Sequence, residues 1–364
     1  TPKPSSAASD VYKRQDLNQA GLMLCKGGDG VPEPGWTVPE AGRAFADGGG
    51  PVALVVLGMH RSGTSAMARV LSLLGGALPA TLMPARVGNE SGHWESEAIC
   101  ALDDALLESV GSHWADWRPV APDAGWVMRG QRVLREEFGA AGLFVMKDPR
   151  QCRLMPFWRD VLAAEGVGAR VVLTLRHPWD VAQSLARRDG MGAARAQLLW
   201  LGHMLEAEAG SRGMTRVLCP YDALMAVRGE QALATWAQDL GGRLGVGWPH
   251  LSPRALGEMA AFLDPAARHH AVEDDPAPVD LVSHWAGRVH AVLSAWAVDG
   301  EQARDHAELD AIAQALARAG PDLMRMVEEN EALAGDVARG RGDLAEARSE
   351  LCYPSPSPRD ERAS

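Results

Sequence analysis

The segment Gly58-Met59-His60-Arg61-Ser62-Gly63-Thr64-Ser65 has the composition of an anion cradle. Glycines at its first and sixth positions, followed by an apolar-periodic stretch, bring backbone N–H groups to a helix N-terminus, where the dipole favours a phosphate. Lysine immediately after the second glycine would hold a triphosphate, but Thr64 stands there and the basic residue is Arg61. The loop therefore suits a single phosphate and its attached group, held by amides around Ser62 to Ser65 with Arg61 on the bridging oxygen. Farther along, Arg176-His177-Pro178 closes an apolar run and Ser184 follows on the next helical stretch. An arginine at a strand end and a hydroxyl on the adjoining helix meet where open α/β sheets bind ligands. Acid–base chemistry points to Asn89-Glu90-Ser91-Gly92-His93-Trp94-Glu95-Ser96-Glu97, a polar turn-forming loop with carboxylates and a histidine.

The surrounding pattern is strand, turn, helix. Val52 to Leu57 is continuously apolar, as a strand buried on both faces is, and Ala66, Met67, Val70, Leu71 and Leu74 recur at helical spacing until Gly75-Gly76. Further strands are expected at Leu143–Met146, Val171–Leu175 and Val217–Cys219, with helices at Val181–Arg188, Ala193–Ala209 and Gln231–Leu240. The expected fold is α/β: a three-layer parallel sheet of P-loop type with helices on both faces, over residues 51–275. A helical segment over 276–351 follows; residues 1–50 and 352–364 read as linker or disorder, partly non-native, since both ends look like translated adapter sequence.

The HRSGTS core resembles the 5′-phosphosulfate loop of sulfotransferases that use 3′-phosphoadenosine 5′-phosphosulfate (PAPS), in particular the bacterial branch acting on carbohydrates. The resemblance spans about residues 51–270. It implies a nucleotide site of His60, Arg61, Ser62, Gly63, Thr64 and Ser65, with Arg176 and Ser184 taking the 3′-phosphate. Lys147-Asp148-Pro149-Arg150 resembles an element whose lysine assists sulfuryl transfer; the same four residues would also make a turn held by Asp148 and Arg150. Tyr221-Asp222 resembles the family's Tyr-acid motif, and Tyr221 reads equally as a nucleotide contact or a core residue. The Gly-x-Trp-Glu element implies Glu95 as general base, with His93 second; Arg61 and Lys147 complete the expected catalytic set. The activity implied is transfer of a sulfuryl group from PAPS to a hydroxyl, on a carbohydrate, glycoconjugate or other small acceptor. The rivals are an atypical P-loop kinase, which Thr64 opposes, and a nucleotide-binding scaffold, which has no need of a base.

Composition agrees with a soluble enzyme. The 364 residues carry a net charge of −11, without the basic surface that nucleic acid requires. Five scattered cysteines fit reduced thiols and a cytoplasmic setting. No stretch has the length of a membrane span and no metal-ligand spacing is evident, so no metal is expected. Twelve tryptophans stand beside three tyrosines and five phenylalanines; Trp94, Trp114, Trp117 and Trp126 would either wall an acceptor cleft or pack a core. Arg268, His269 and His270 are placed to close over a 3′-phosphate. After an expected break at Gly320-Pro321, Leu323, Asn330, Val337, Leu344 and Leu351 fall seven apart, with Met326, Leu333, Gly340 and Ala347 at companion positions. That pattern predicts either a coiled coil joining two copies or an exposed helix.

Overall fold

The computed structural model describes residues 49–84, 92–116, 120, 123–263 and 280–352. Four parallel strands form one sheet in the order β2-β1-β3-β4: β1 (Val52–Leu57), β2 (Leu143–Lys147), β3 (Gly168–Leu175) and β4 (Thr215–Pro220). Alternation divides β1 between two cores. Ala53, Val55 and Leu57 enter one, and Val52, Leu54 and Val56 the other, which is why the strand is apolar throughout.

The second core is covered by α1 (Thr64–Leu73), α7 (Tyr221–Ala226), α8 (Gly229–Leu244) and α9 (Pro253–Phe262). The first is covered by α2 (Glu97–Ser109), α3 (Ala124–Phe138), α4 (Gln151–Ala164), α5 (Pro178–Asp189) and α6 (Ala193–Gly210). The three-layer α/β arrangement is as expected. β3 and β4 start earlier than their apolar runs, because Gly168 to Arg170 and Thr215 to Arg216 pair with their neighbours at half-exposed or exposed positions. Two of the helices next to the site have local start signals. Ser96 caps α2 by accepting the Ile99 N–H at 2.9 Å, and α5 opens on Pro178 with His177 accepting the Trp179 N–H at 3.3 Å.

The helical tail joins the first core. α10 (Leu281–Asp299) contributes Val282, Ala286, Val289, Leu293 and Trp296, and packs on α6 and β4. The expected break at Gly320-Pro321 is overturned: α11 runs from His306 to Cys352 straight through it. Pro321 removes one helical N–H and leaves the Ala317 carbonyl without its usual partner. Leu309, Ile312 and Leu316 before the proline and Met324 after it are all buried in the same core, and that packing keeps the helix continuous.

Candidate active site

The loop between β1 and α1 is shaped by close backbone approach. At Gly58 (φ 150°) a Cβ would come within 2.2 Å of Thr174 Oγ1 and 2.9 Å of the Thr174 carbonyl, so only glycine lets the chain pass β3 there. The Gly58 N–H is taken up by Cys152 Sγ at 3.1 Å. At Gly63 (φ 89°) a Cβ would lie 2.4 Å from the Tyr221 ring, which places an edge of that ring against the start of α1. Gly63 is the cap of α1 and supplies no side-chain hydrogen bond, so the first-turn amides are left for a ligand. Arg61 adopts a left-handed backbone (φ 69°), unusual for a residue with a side chain and often tied to function. Ser62 Oγ is buried with no hydrogen-bond partner among the described residues.

One side of the site is a cluster of arginines. Arg61 Nε donates to Ser184 Oγ at 2.8 Å, and Arg176 Nη1 donates to the Arg61 carbonyl at 3.2 Å. The Arg176 guanidinium stacks 4.8 Å from the Tyr221 ring centroid and lies 3.9 Å from Asp180. Arg188, one helical turn beyond Ser184, faces the same cavity and is held by Asp189 at 2.7 and 2.5 Å. Burial, then repulsion from Arg188 and Arg176, lowers the Arg61 pKa from its ordinary value. Sequence reading missed Arg188, whose only signal is its position four residues after Ser184 on a helix.

The opposite side is built differently. Lys147, the last residue of β2, donates to the His93 carbonyl at 3.0 Å and to Ser65 Oγ at 3.3 Å, and forms a buried ion pair with Glu95. Glu95 Oε2 also accepts from Cys100 Sγ at 3.6 Å. Lys147 and Glu95, expected to face a substrate separately, hold each other. His93 reaches Lys147 through its main chain, turned inward by a left-handed Trp94 (φ 58°), while its side chain lines the cavity. Asp148 and Arg150 make the turn: Asp148 Oδ1 accepts from the Arg150 N–H at 3.0 Å and from its Nη1 at 2.9 Å, and Arg150 also binds Asp104 at 2.5 and 3.0 Å.

Arg61, Arg176, Arg188, Lys147, Glu95 and Tyr221 face one cavity of about 160 Å³, together with His60, His93 and Gly63 to Ala66. Tyr221 is half-buried, and it both lines this cavity and packs on the second core. His60 meets the Trp114 ring edge-on at 5.1 Å, and burial, followed by the charges of His203, Lys147 and Arg188, holds it well below the usual histidine range. The tryptophans do not form a single wall. Trp94 is buried in the second core beneath Arg69, and Trp126 packs on the first core, because the elements carrying them cover opposite faces of the sheet; among the described tryptophans of this group, Trp114 borders the cavity through His60.

Among the described residues, two groups could supply three ligand atoms to a metal: Glu95, Cys100 and Asp148, and Glu208, Glu301 and His306. In both, cations already hold carboxylates. Lys147 holds Glu95, Arg150 holds Asp148, and Arg212 and Arg216 hold Glu208. Asn89, Glu90, Ser91, Trp117, Arg268, His269, His270 and both ends of the chain lie outside the described residues. Among those described, no helix is long and apolar enough to cross a membrane.

No family model matches the chain, and no curated protein matches it. Among solved structures it is similar to the sulfotransferase domain from the Synechococcus PCC 7002 olefin synthase, with 17% identity, a TM-score of 0.39, and coverage of 70% of this chain and 98% of that one. It is also similar to the sulfotransferase domain from the curacin biosynthetic pathway, at 14% identity and a TM-score of 0.35, covering 67% of this chain and 98% of that one. Likenesses of this size transfer no activity.

Proposed function

We propose that this site binds PAPS and transfers its sulfuryl group to an acceptor hydroxyl, in line and without a metal. The observation that carries the reading is the join between the loop and β3: Arg61 reaches Ser184, Arg176 reaches the Arg61 carbonyl, and all three sit beside the uncapped start of α1. In this reading the first-turn amides and Ser62 Oγ receive the 5′-phosphate, and Arg176 with Ser184 receives the 3′-phosphate. Tyr221 supports both by stacking under Arg176 and setting its ring edge against Gly63.

Bound PAPS supplies an activated sulfuryl group; the protein supplies charge and a base. Arg61 and Lys147 offset the charge that develops on the sulfuryl and bridging oxygens. Glu95 takes the acceptor proton as the oxygen–sulfur bond forms, and the old bridging bond leaves its electron pair on the 5′-phosphate. The Lys147–Glu95 pair supports a coupling of these roles. An anionic donor draws the ammonium toward itself and releases the carboxylate. The acceptor is a carbohydrate or glycoconjugate in this reading, with Trp114 beside His60 as the stacking surface for a sugar ring.

Calorimetry with 3′,5′-ADP (PAP), ATP and GTP, each with and without Mg²⁺, tests the reading first. Metal-independent preference for PAP is expected. Tighter binding of Mg-ATP would replace it with a kinase-like one.

A further inference from the structure

We propose that two copies of this chain pair through a parallel, in-register coiled coil that begins at Met326 of α11. Up to Leu316 the helix uses Leu309, Ile312 and Leu316 to pack on the body. Beyond Pro321 the same helical face stays against the body: Met324 is buried, Val327 packs on the same core, Arg195 reaches Glu328 and Glu331 at 3.6 Å each, and the Gly192 N–H donates to Glu331 at 3.0 Å. The seven-residue seam is thereby turned to solvent. Met326, Leu333, Val337 and Leu344 are 53%, 65%, 51% and 65% exposed, all on one stripe.

A helix of this kind does not stand alone. Gly335, Gly340 and Gly342 each cost about 1 kcal/mol relative to alanine in a helix interior, and among the described residues past Glu331 none joins the buried core to offset them. A second copy is the occupant that the charges fit. With Leu323, Asn330, Val337 and Leu344 at the first heptad position, Glu329, Asp336 and Asp343 flank the seam on one side and Arg341 on the other. Parallel pairing sets Asp336 of one copy against Arg341 of the other, and the acid-then-arginine spacing recurs in sequence at Asp343 and Arg348. Antiparallel pairing would oppose acid to acid. Asn330 at a seam position pairs with itself only when the two helices are parallel and in register.

Sedimentation of the full chain at micromolar concentration tests this. The wild-type chain is expected to be a dimer, and Leu333→Glu with Val337→Glu to weaken it about 100-fold or more, since each copy then brings two charges into the seam. Both substitutions are at exposed positions, so an unchanged thermal midpoint checks that the body is intact. In a Cys25→Ser, Cys352→Ser background, Asn330→Cys should cross-link two copies under mild oxidation. A monomeric wild type, a dimer that survives the double glutamate change, or a dimer that fails to cross-link at position 330 would each overturn the proposal.

Discussion

The two halves of the cavity treat charge in opposite ways. On the β2 side, Lys147 is matched at once by Glu95, the His93 carbonyl and Ser65. On the β3 side, Arg61, Arg176 and Arg188 crowd together, and their mutual repulsion together with burial makes the Arg61 charge harder to hold. The second arrangement gains most from an incoming anion, and the first has a carboxylate to spare once its lysine is drawn away. Under the proposed function, binding and proton transfer are divided between the two strands that flank β1.

That division can be broken at four points, in order of expected effect. Glu95→Gln should lower turnover by about two to four orders of magnitude while leaving PAP affinity within about twofold, because a lost base acts on the transition state. Full activity in a single-turnover assay with labelled PAPS would remove Glu95 from the mechanism, and a dead His93→Ala beside it would move the base two residues back. Lys147→Ala leaves the Glu95 carboxylate buried and unmatched, which costs about 3 to 5 kcal/mol of stability in chemical denaturation. Lys147→Met combined with Glu95→Leu should recover most of that loss. Arg176→Ala should weaken PAP by about 2 to 3 kcal/mol and adenosine 5′-phosphosulfate little, by calorimetry, as a lost charge-assisted contact to the 3′-phosphate does. Equal losses for the two nucleotides would assign Arg176 to the 5′ end or to the fold.

The smallest effect concerns a buried histidine of α6. His203 is buried, its Nδ1–H donates to the Leu199 carbonyl at 2.8 Å, and burial pushes its pKa down to about 4 from 6.5. Between these values the unfolded chain binds more protons, so the stability tied to a neutral His203 is present above pH 6.5 and is lost as pH falls toward 4. His203→Gln should remove about one proton, or about 1.4 kcal/mol per pH unit, from the slope of stability against pH in that window. An unchanged slope would mean that His203 titrates normally.

Sequence reading reached the parts of the molecule with a local signature. β1 and its glycine loop are contiguous, and Arg176 and Ser184 lie eight residues apart around a single strand end. The Lys147–Glu95 pair joins residues 52 apart in sequence, and no periodicity reports such a contact. On sequence alone Trp94 would either wall a cleft or pack a core; in the structure its backbone is left-handed and its ring is buried in the core. Pro321 reads as a stop because the local cost of proline is legible, whereas the burial of Leu316 and Met324 on either side comes from distant helices. Arg188 gains its meaning only once α5 is folded against the loop.

The order of the strands is also a gauge. Lys147 ends β2, the glycine loop leaves β1, and Arg176 follows β3, and these three strands are consecutive neighbours in the sheet. Adjacent strands sit about 4.8 Å apart, and Lys147 is level with Val172, four residues short of Arg176, so the two positions are offset both across and along the sheet by a spacing set by backbone hydrogen bonds and not by side-chain rotamers. Any ligand that engages both residues must carry negative groups at matching intervals. Surface substitutions leave that calibration untouched, so under the proposed function the sheet itself sets the span a ligand must match.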